Sequence, residues 1–251
     1  MLHKLYEEVP MPFSPMTIED AAVYLHLEMR ELNKLVQRKE IPFEHIRGQF
    51  VFRKNHLRDW STQRILAFKG KHLKDFHVQA HKKQEAPDRH IPFLTGFLNE
   101  SYFVEHIPSK SKAKVLKFLA DKAFDTGCVC DGGELYQLLL EREELCPTGL
   151  EGGVALPHTR VHSEYLFLEN FLIIGKISGG VPFGAIDGKL TDLFFMPCTM
   201  DDQLHLYTIT RIALMLQKTD LGDRLREAVT AREMYEAFIE TEQFFVEKFV
   251  D

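Results

Sequence analysis

The segment Gly152-Gly153-Val154-Ala155-Leu156-Pro157-His158 sets an imidazole directly after a rigid proline at the end of a short apolar run, next to two glycines that permit close backbone approach. A histidine in that setting is predicted to be displayed rather than packed. A neutral imidazole with one nitrogen hydrogen-bonded and a lone pair on the other can attack phosphorus, and the resulting phosphohistidine is labile enough to pass the group on. Such transfer asks the protein mainly for donors to the phosphoryl oxygens. Arg142 offers a guanidinium fork, and His205, near the start of a predicted helix from Asp202, offers an imidazole N–H. His158 and His162 have the i, i+4 spacing of a metal-binding helix, but Pro157 and the preceding strand argue against a helix there. Cys128 and Cys130 lack a second pair at ligand spacing, so the sequence predicts no metal and no cofactor, with reduced thiols.

Around these residues the apolar periods alternate. Helical spacing covers 110–124 through Val115, Leu116, Leu119 and Ala123, and 134–145 through Leu135, Leu138 and Leu139. Strands are predicted at 153–156, 168–177 and 193–198, followed by helices at 202–217, 221–227 and 231–241. This predicts an α/β sandwich, a mixed sheet flanked by helices.

The stretch Leu138 to His158, with Arg142, Glu143, Thr148, Gly149, Gly153, Ala155 and Pro157 at its fixed points, resembles the enzyme IIA domain of the bacterial phosphoenolpyruvate-dependent sugar phosphotransferase system, of the fructose/mannitol and nitrogen-regulatory type. Val181 to Gly188 with Asp192 matches the family's second stretch, and Gln203-Leu204-His205 its third. The resemblance spans roughly residues 92–245. It implies that His158 is the phosphoryl acceptor, His205 the second active-site histidine, and Arg142 and Thr148 the supports of the phosphate, in a phosphohistidine carrier rather than a turnover enzyme. Pro147 stands where the family usually has Ser, and Glu151 where it usually has Gly.

The whole chain of 251 residues carries a net charge of -6, with 45% hydrophobic and 27% charged residues. That composition is globular, and the length suits two domains better than one. The charge is divided: residues 1–90 hold 16 Lys and Arg against 12 Asp and Glu, whereas residues 91–251 hold 15 against 25. The N-terminus has no apolar run and carries Glu7 and Glu8, and no stretch is long enough to span a bilayer, so a cytoplasmic chain with no membrane contact is expected.

Thr17 with Asp20 three residues on reads as a capping box, with Ile18, Ala21, Ala22 and Leu25 on one face of a short helix. A second helix over 29–39 keeps Leu32, Leu35 and Val36 inward and leaves Arg30, Asn33, Lys34, Gln37 and Arg38 outside. Residues 43–52 around Arg47-Gly48 read as a hairpin, and 54–65 as a packing helix with Leu57 and Trp60. Residues 16–25, 35–42, 47–53 and 57–60 resemble the excisionase-like helix-turn-helix family, related to the MerR type, with Lys39 where that family usually has Gly. The resemblance implies a winged helix-turn-helix whose second helix enters a major groove while Arg47 in the wing meets the backbone of duplex DNA. The alternative use of such a module is protein contact or dimerisation.

The reading is therefore a helix-turn-helix domain at 14–66, a basic linker at 67–90 and an enzyme IIA-like phosphocarrier domain at 91–251. The function expected is that of a bacterial regulator, phosphorylated on His158 by an HPr-type carrier and binding DNA through its N-terminal module. The alternatives are a non-phosphorylated interaction protein, and a IIA carrier that passes phosphate to a sugar-specific IIB domain. The sequence leaves the oligomeric state open.

Overall fold

The computed structural model describes residues 15–25, 27–67, 93–160 and 165–249. The basic linker from 68 onward and His162 lie outside the described residues. The chain divides into two compact units, residues 1–63 and 64–251.

In the first unit, α1 (Ile18–Tyr24) begins at the expected capping box: the Thr17 hydroxyl accepts from Asp20 N–H at 3.1 Å, and the Asp20 carboxylate accepts from Thr17 N–H at 3.1 Å. Its Ala21 and Ala22 pack with Leu32, Leu35 and Val36 of α2 (Met29–Gln37). The two-residue turn Arg47-Gly48 joins β1 (Glu44–Ile46) to β2 (Gln49–Val51), with φ of 49° and 83°. Positive φ at both positions matches the twist of a hairpin, and Arg47 is the residue that bears the steric cost. Met16 pairs with Phe52 beyond β2, and α3 (Lys54–Ala67) closes the unit, its Leu57 fully buried. The structure thus contains short helices and a small hairpin in the expected order.

Helix α2 stops two residues earlier than its period suggests, and the reason is visible in the backbone. Lys39 adopts φ 55°, while Lys39 N–H donates to the Val36 carbonyl at 3.0 Å and Glu40 N–H to the Leu35 carbonyl at 2.9 Å. This is a Schellman termination with a lysine in the left-handed position that favours glycine.

In the second unit, five strands run in the order β3 (Phe103–Val104), β6 (Phe171–Val181), β7 (Thr191–Cys198), β5 (Val154–Ala155), β4 (Gly149–Leu150). β6 with β7 and β5 with β4 are antiparallel, and β3 with β6 and β5 with β7 are parallel. The run Phe171 to Ile174 is buried at every residue, as a strand covered on both faces must be. One face packs against α4 (Lys112–Asp125) and α5 (Gly132–Leu145) through Val115, Leu116, Leu119, Leu135 and Leu139. α6 (Asp202–Lys218) packs on β7 and is buried without a break from Leu204 to Met215. α7 (Leu221–Glu227) and α8 (Ala231–Phe249) complete the unit.

Several boundaries differ from expectation. β6 begins at Phe171 rather than 168, because Phe167 bridges to Val129 and Leu168 N–H donates to the Cys128 carbonyl, outside the β6 ladder. It runs on to Val181 because the Gly179-Gly180 pair is absorbed as a bulge before Val181 pairs with Thr191. α8 passes its expected end at Thr241, whose hydroxyl donates to the Ala237 carbonyl at 2.7 Å within the helix, and continues to bury Phe245.

A buried polar network ties the helices together. The Glu242 carboxylate accepts from Leu94 N–H at 2.7 Å, Thr95 N–H at 2.8 Å and Arg211 Nη1 at 3.3 Å, and Arg211 also donates to the Tyr207 hydroxyl. Burial pushes the Glu242 carboxyl above its ordinary range and the Tyr207 hydroxyl up to about 12.

Candidate functional site: two histidines and an arginine at the end of the sheet

The site is built from the ends of three elements. α5 is capped at its start by Asp131, which accepts from Gly133 and Glu134 N–H at 2.7 and 3.0 Å. Its core residues Leu135 and Leu139 fix the rotation of the helix, and Arg142 and Glu143 in the last turn are consequently buried. β5 delivers Leu156, Pro157 and His158 beyond its last residue, and the first turn of α6 delivers His205.

The hydrogen bonds on His158 define its chemistry. Nδ1 lies 2.7 Å from the Leu156 carbonyl oxygen, and a carbonyl only accepts, so Nδ1 carries the proton. Nε2 lies 3.1 Å from Arg142 Nε, and a guanidinium only donates, so Nε2 carries the lone pair. The ring is held as the neutral Nδ1–H tautomer, which is the form needed for attack through Nε2. Arg142 is oriented in turn by its Nη1, which donates to the Cys146 carbonyl at 2.7 Å. The His205 ring lies 4.8 Å from the His158 ring, centroid to centroid, at an interplanar angle of 43°. His158, His205 and Arg142 therefore come together.

Two residues behave differently from the sequence expectation. His158 is not displayed: the residue is 3% exposed, its ring lying against Arg142 of α5 and His205 of α6. Thr148 is buried and its hydroxyl donates to Glu143 Oε2 at 2.6 Å, while its N–H faces the same carboxylate at 3.0 and 3.2 Å.

Sequence reasoning missed two residues that shape the surroundings. Lys112 Nζ donates to Glu143 Oε1 at 2.9 Å across 31 residues of sequence. Arg226 donates to Asp192 from Nε at 3.0 Å and to the Gly152 carbonyl from Nη2 at 2.7 Å, while Gly152 N–H donates to Asp187 Oδ2 at 3.0 Å. Backbone N–H groups of Gly152 and Lys189 hold the Asp187 carboxyl below its ordinary range. Gly153, at φ 79°, lies so close to this cluster that a Cβ there would sit 3.1 Å from Asp192 Oδ1 and 3.2 Å from Arg226 Nη2. The β4 to β5 turn is thus pinned from outside by side chains that no local pattern announces. Pro147 packs on Gly184, where an added Cβ would come within 2.5 Å of the proline ring.

In the first unit Arg30, Asn33, Lys34 and Gln37 on α2 and Arg38 at its C-cap are all exposed, with Leu32, Leu35 and Val36 buried, and Arg47 is exposed at the hairpin turn. The Asn33 amide donates back to the Met29 carbonyl at 2.7 Å. Among the described residues no group of His, Cys, Asp or Glu is placed to hold a metal ion, and no helix is long and apolar enough to cross a membrane.

Residues 97–241 match the family described as "Phosphoenolpyruvate-dependent sugar phosphotransferase system, EIIA 2". A nitrogen regulatory protein of Pseudomonas aeruginosa is 30% identical over 151 residues, covering 59% of this chain and 96% of that protein. A nitrogen regulatory protein of Escherichia coli is 26% identical over 151 residues, covering 59% and 91%. Among solved structures, nitrogen regulatory protein IIA-Ntr from Neisseria meningitidis superposes with a TM-score of 0.53 at 21% identity, covering 59% of this chain and 99% of that one. Enzyme IIA of the mannitol system, in its complex with phosphorylated enzyme IIB from Escherichia coli, gives 0.51 at 22% identity, covering 57% and 97%. These two share the α/β fold of the second unit. The family match covers more than half of the chain, and the chain belongs to the phosphoenolpyruvate-dependent sugar phosphotransferase system EIIA 2 family.

Proposed function

We propose that the protein is a cytoplasmic bacterial regulator whose IIA-type unit, at 91–251, accepts a phosphoryl group on His158 Nε2 from an HPr-type carrier. The observation that carries this reading is the Leu156 carbonyl 2.7 Å from Nδ1, which commits the proton there and leaves the nucleophilic lone pair on Nε2. In the transfer, the Nε2 lone pair forms a bond to phosphorus as the nitrogen–phosphorus bond on the carrier breaks, and the bonding pair leaves with the carrier's imidazole. His158 keeps its Nδ1–H, and the Arg142 N–H that faced Nε2 turns to a phosphoryl oxygen. His205 stands beside the ring as a second donor. Relatives named as nitrogen regulatory proteins favour a regulatory role, and the likeness to a IIA seen with phosphorylated IIB keeps onward transfer to a IIB domain as the alternative.

The test is incubation of the full chain with phosphoenolpyruvate, enzyme I and an HPr-type carrier, followed by intact mass. Wild type gains one acid-labile phosphate and His158→Ala gains none. Labelling of His158→Ala, or no labelling of wild type by any carrier, refutes the reading.

The first unit is read as an excisionase-like winged helix-turn-helix, at 14–66, that binds duplex DNA. The exposed basic and amide face of α2 supports this, with Arg47 at the tip of the hairpin. Full-length protein then binds duplex DNA with an affinity that falls as salt rises, by a slope of about 0.9 per phosphate neutralised. Arg47→Ala lowers that slope by about one. Absence of binding at low salt by folded protein assigns the module to protein contact instead.

A further inference from the structure

Glu143 is the charged centre of the segment that carries the acceptor. Its side chain is 4% exposed, and it receives Lys112 Nζ at 2.9 Å, the Thr148 N–H at 3.0 Å and the Thr148 hydroxyl at 2.6 Å. The Thr148 carbonyl accepts from Leu156 N–H at 3.1 Å, and the Leu156 carbonyl accepts from His158 Nδ1–H at 2.7 Å. A continuous line of contacts therefore runs from an ammonium through a buried carboxylate and two residues of backbone to the proton that sets the tautomer of His158. Lys112 is itself anchored: Nζ lies 5.0 Å from the centroid of the buried Phe183 ring, and 32% of the side chain is exposed.

A buried carboxylate whose cation is removed is strongly destabilised, and its neighbours move to relieve it. Here the neighbour is Thr148, on which the Leu156 peptide depends. We propose that Lys112 and Glu143 are positioning residues for phosphoryl transfer, with Glu143 fixing Thr148 and Leu156 so that His158 presents Nε2, and Lys112 supplying the charge that lets Glu143 remain buried as an anion. This assigns the Thr148 hydroxyl to Glu143 rather than to phosphate. It rests on the reading of His158 as the acceptor.

The experiment uses full-length Lys112→Met, Lys112→Arg and Glu143→Gln with two readouts. The first is the nitrogen-bound proton of the His158 ring in unphosphorylated protein, followed by ¹H–¹⁵N correlation. The second is the single-turnover rate of phosphoryl transfer at saturating phosphorylated HPr-type carrier, written kcat, and the half-saturating carrier concentration, written KM. Lys112→Met and Glu143→Gln broaden or lose the Nδ1-bound proton signal and lower kcat about tenfold, the lower end of the range for removing a partner that orients a metal-bound histidine, taken here as the analogue. KM is unchanged, and Lys112→Arg restores both readouts. An unmoved ring signal with wild-type kcat in Lys112→Met overturns the proposal, as does a rise in KM alone, which would make Lys112 a contact for the carrier. Where Glu143→Gln does not fold, the Lys112 pair decides. Where wild type takes no phosphate, the acceptor reading fails by itself and the ring signal of Lys112→Met against Lys112→Arg still decides the positioning role.

Discussion

Replacing Arg142 by Lys separates charge from geometry at the site. The guanidinium makes two bonds in fixed directions, from Nε to His158 Nε2 at 3.1 Å and from Nη1 to the Cys146 carbonyl at 2.7 Å. An ammonium keeps the charge but cannot hold both directions at once. Loss of one preorganised donor to a developing anion lowers kcat by about 10² to 10³, or about 2.7 to 4 kcal/mol of transition-state stabilisation. Arg142 is 3% exposed, out of reach of a carrier's surface, so KM for the carrier is expected to stay constant. The part-buried Cys146 carbonyl exchanges its guanidinium partner for water, so the loss of stability stays below the about 1 to 3 kcal/mol of a fully buried orphan. Rapid-quench transfer from ³²P-labelled carrier measures the first effect and urea unfolding the second. Labelling must remain on His158, because Leu156 still fixes the tautomer. A kcat within threefold of wild type, or a change confined to KM, refutes the role given to Arg142.

Three further outcomes follow from the backbone and the buried network. Lys39→Gly removes a side chain from φ 55°, where a non-glycine residue costs about 1 to 2 kcal/mol, against a smaller gain in unfolded-chain entropy. Unfolding of the first unit by denaturant should show it stabilised by about 0.5 to 1 kcal/mol, and a destabilised variant contradicts the Schellman reading. Gly184→Ala places a Cβ at φ 79° within 2.5 Å of the Pro147 ring, so both backbone strain and overpacking apply, and a loss of about 2 to 5 kcal/mol is expected by thermal unfolding. Glu242 carries a carboxyl raised by burial, so it favours the folded state most when protonated, and that contribution is lost as pH rises from the ordinary value of 4.5 through the folded-state value. The stability advantage of wild type over Glu242→Gln, measured in urea at a series of pH values, should therefore shrink as pH rises; an advantage that grows contradicts the direction of the shift.

Features decided within a few residues were legible in the sequence. The Thr17 and Asp20 box, the helical rotation that points Leu32, Leu35 and Val36 inward, and the Arg47-Gly48 turn all stand where local spacing puts them. At the site, His158, His205 and Arg142 were legible by residue type and by resemblance, and they meet in the fold. What escaped depends on contacts across the fold. Lys112 reaches Glu143 from another helix, and Arg226 reaches Gly152 from 74 residues away, with no period or motif linking either pair. The burial of His158 escaped for the same reason: a proline after a strand predicts a rigid exit, but only the placement of α5 and α6 decides whether that exit faces solvent. The bulge in β6 escaped because a glycine pair reads equally as a turn or as a bend absorbed within a strand.

On the proposed reading of His158 as the phosphoryl acceptor, that burial constrains how phosphorylation would act as a signal. A phosphoryl group brings about two negative charges and three oxygens, comparable to other phosphorylated side chains. At an exposed residue its reach is limited to a Debye length of about 8 Å. At His158 a phosphoryl group would meet the Arg142 guanidinium and the neighbouring His205 ring, so loading would require the Arg142 N–H to change partner before charge acts at any distance. The Arg142 N–H that faces Nε2 must find oxygen, whereas the Leu156, Thr148 and Glu143 contacts on the far side of the ring stay in place. On this reading the site has a fixed side and a side that rearranges on loading. A readout partner that distinguishes the two states need only sense the second, through the ends of α5 and α6 that carry Arg142 and His205.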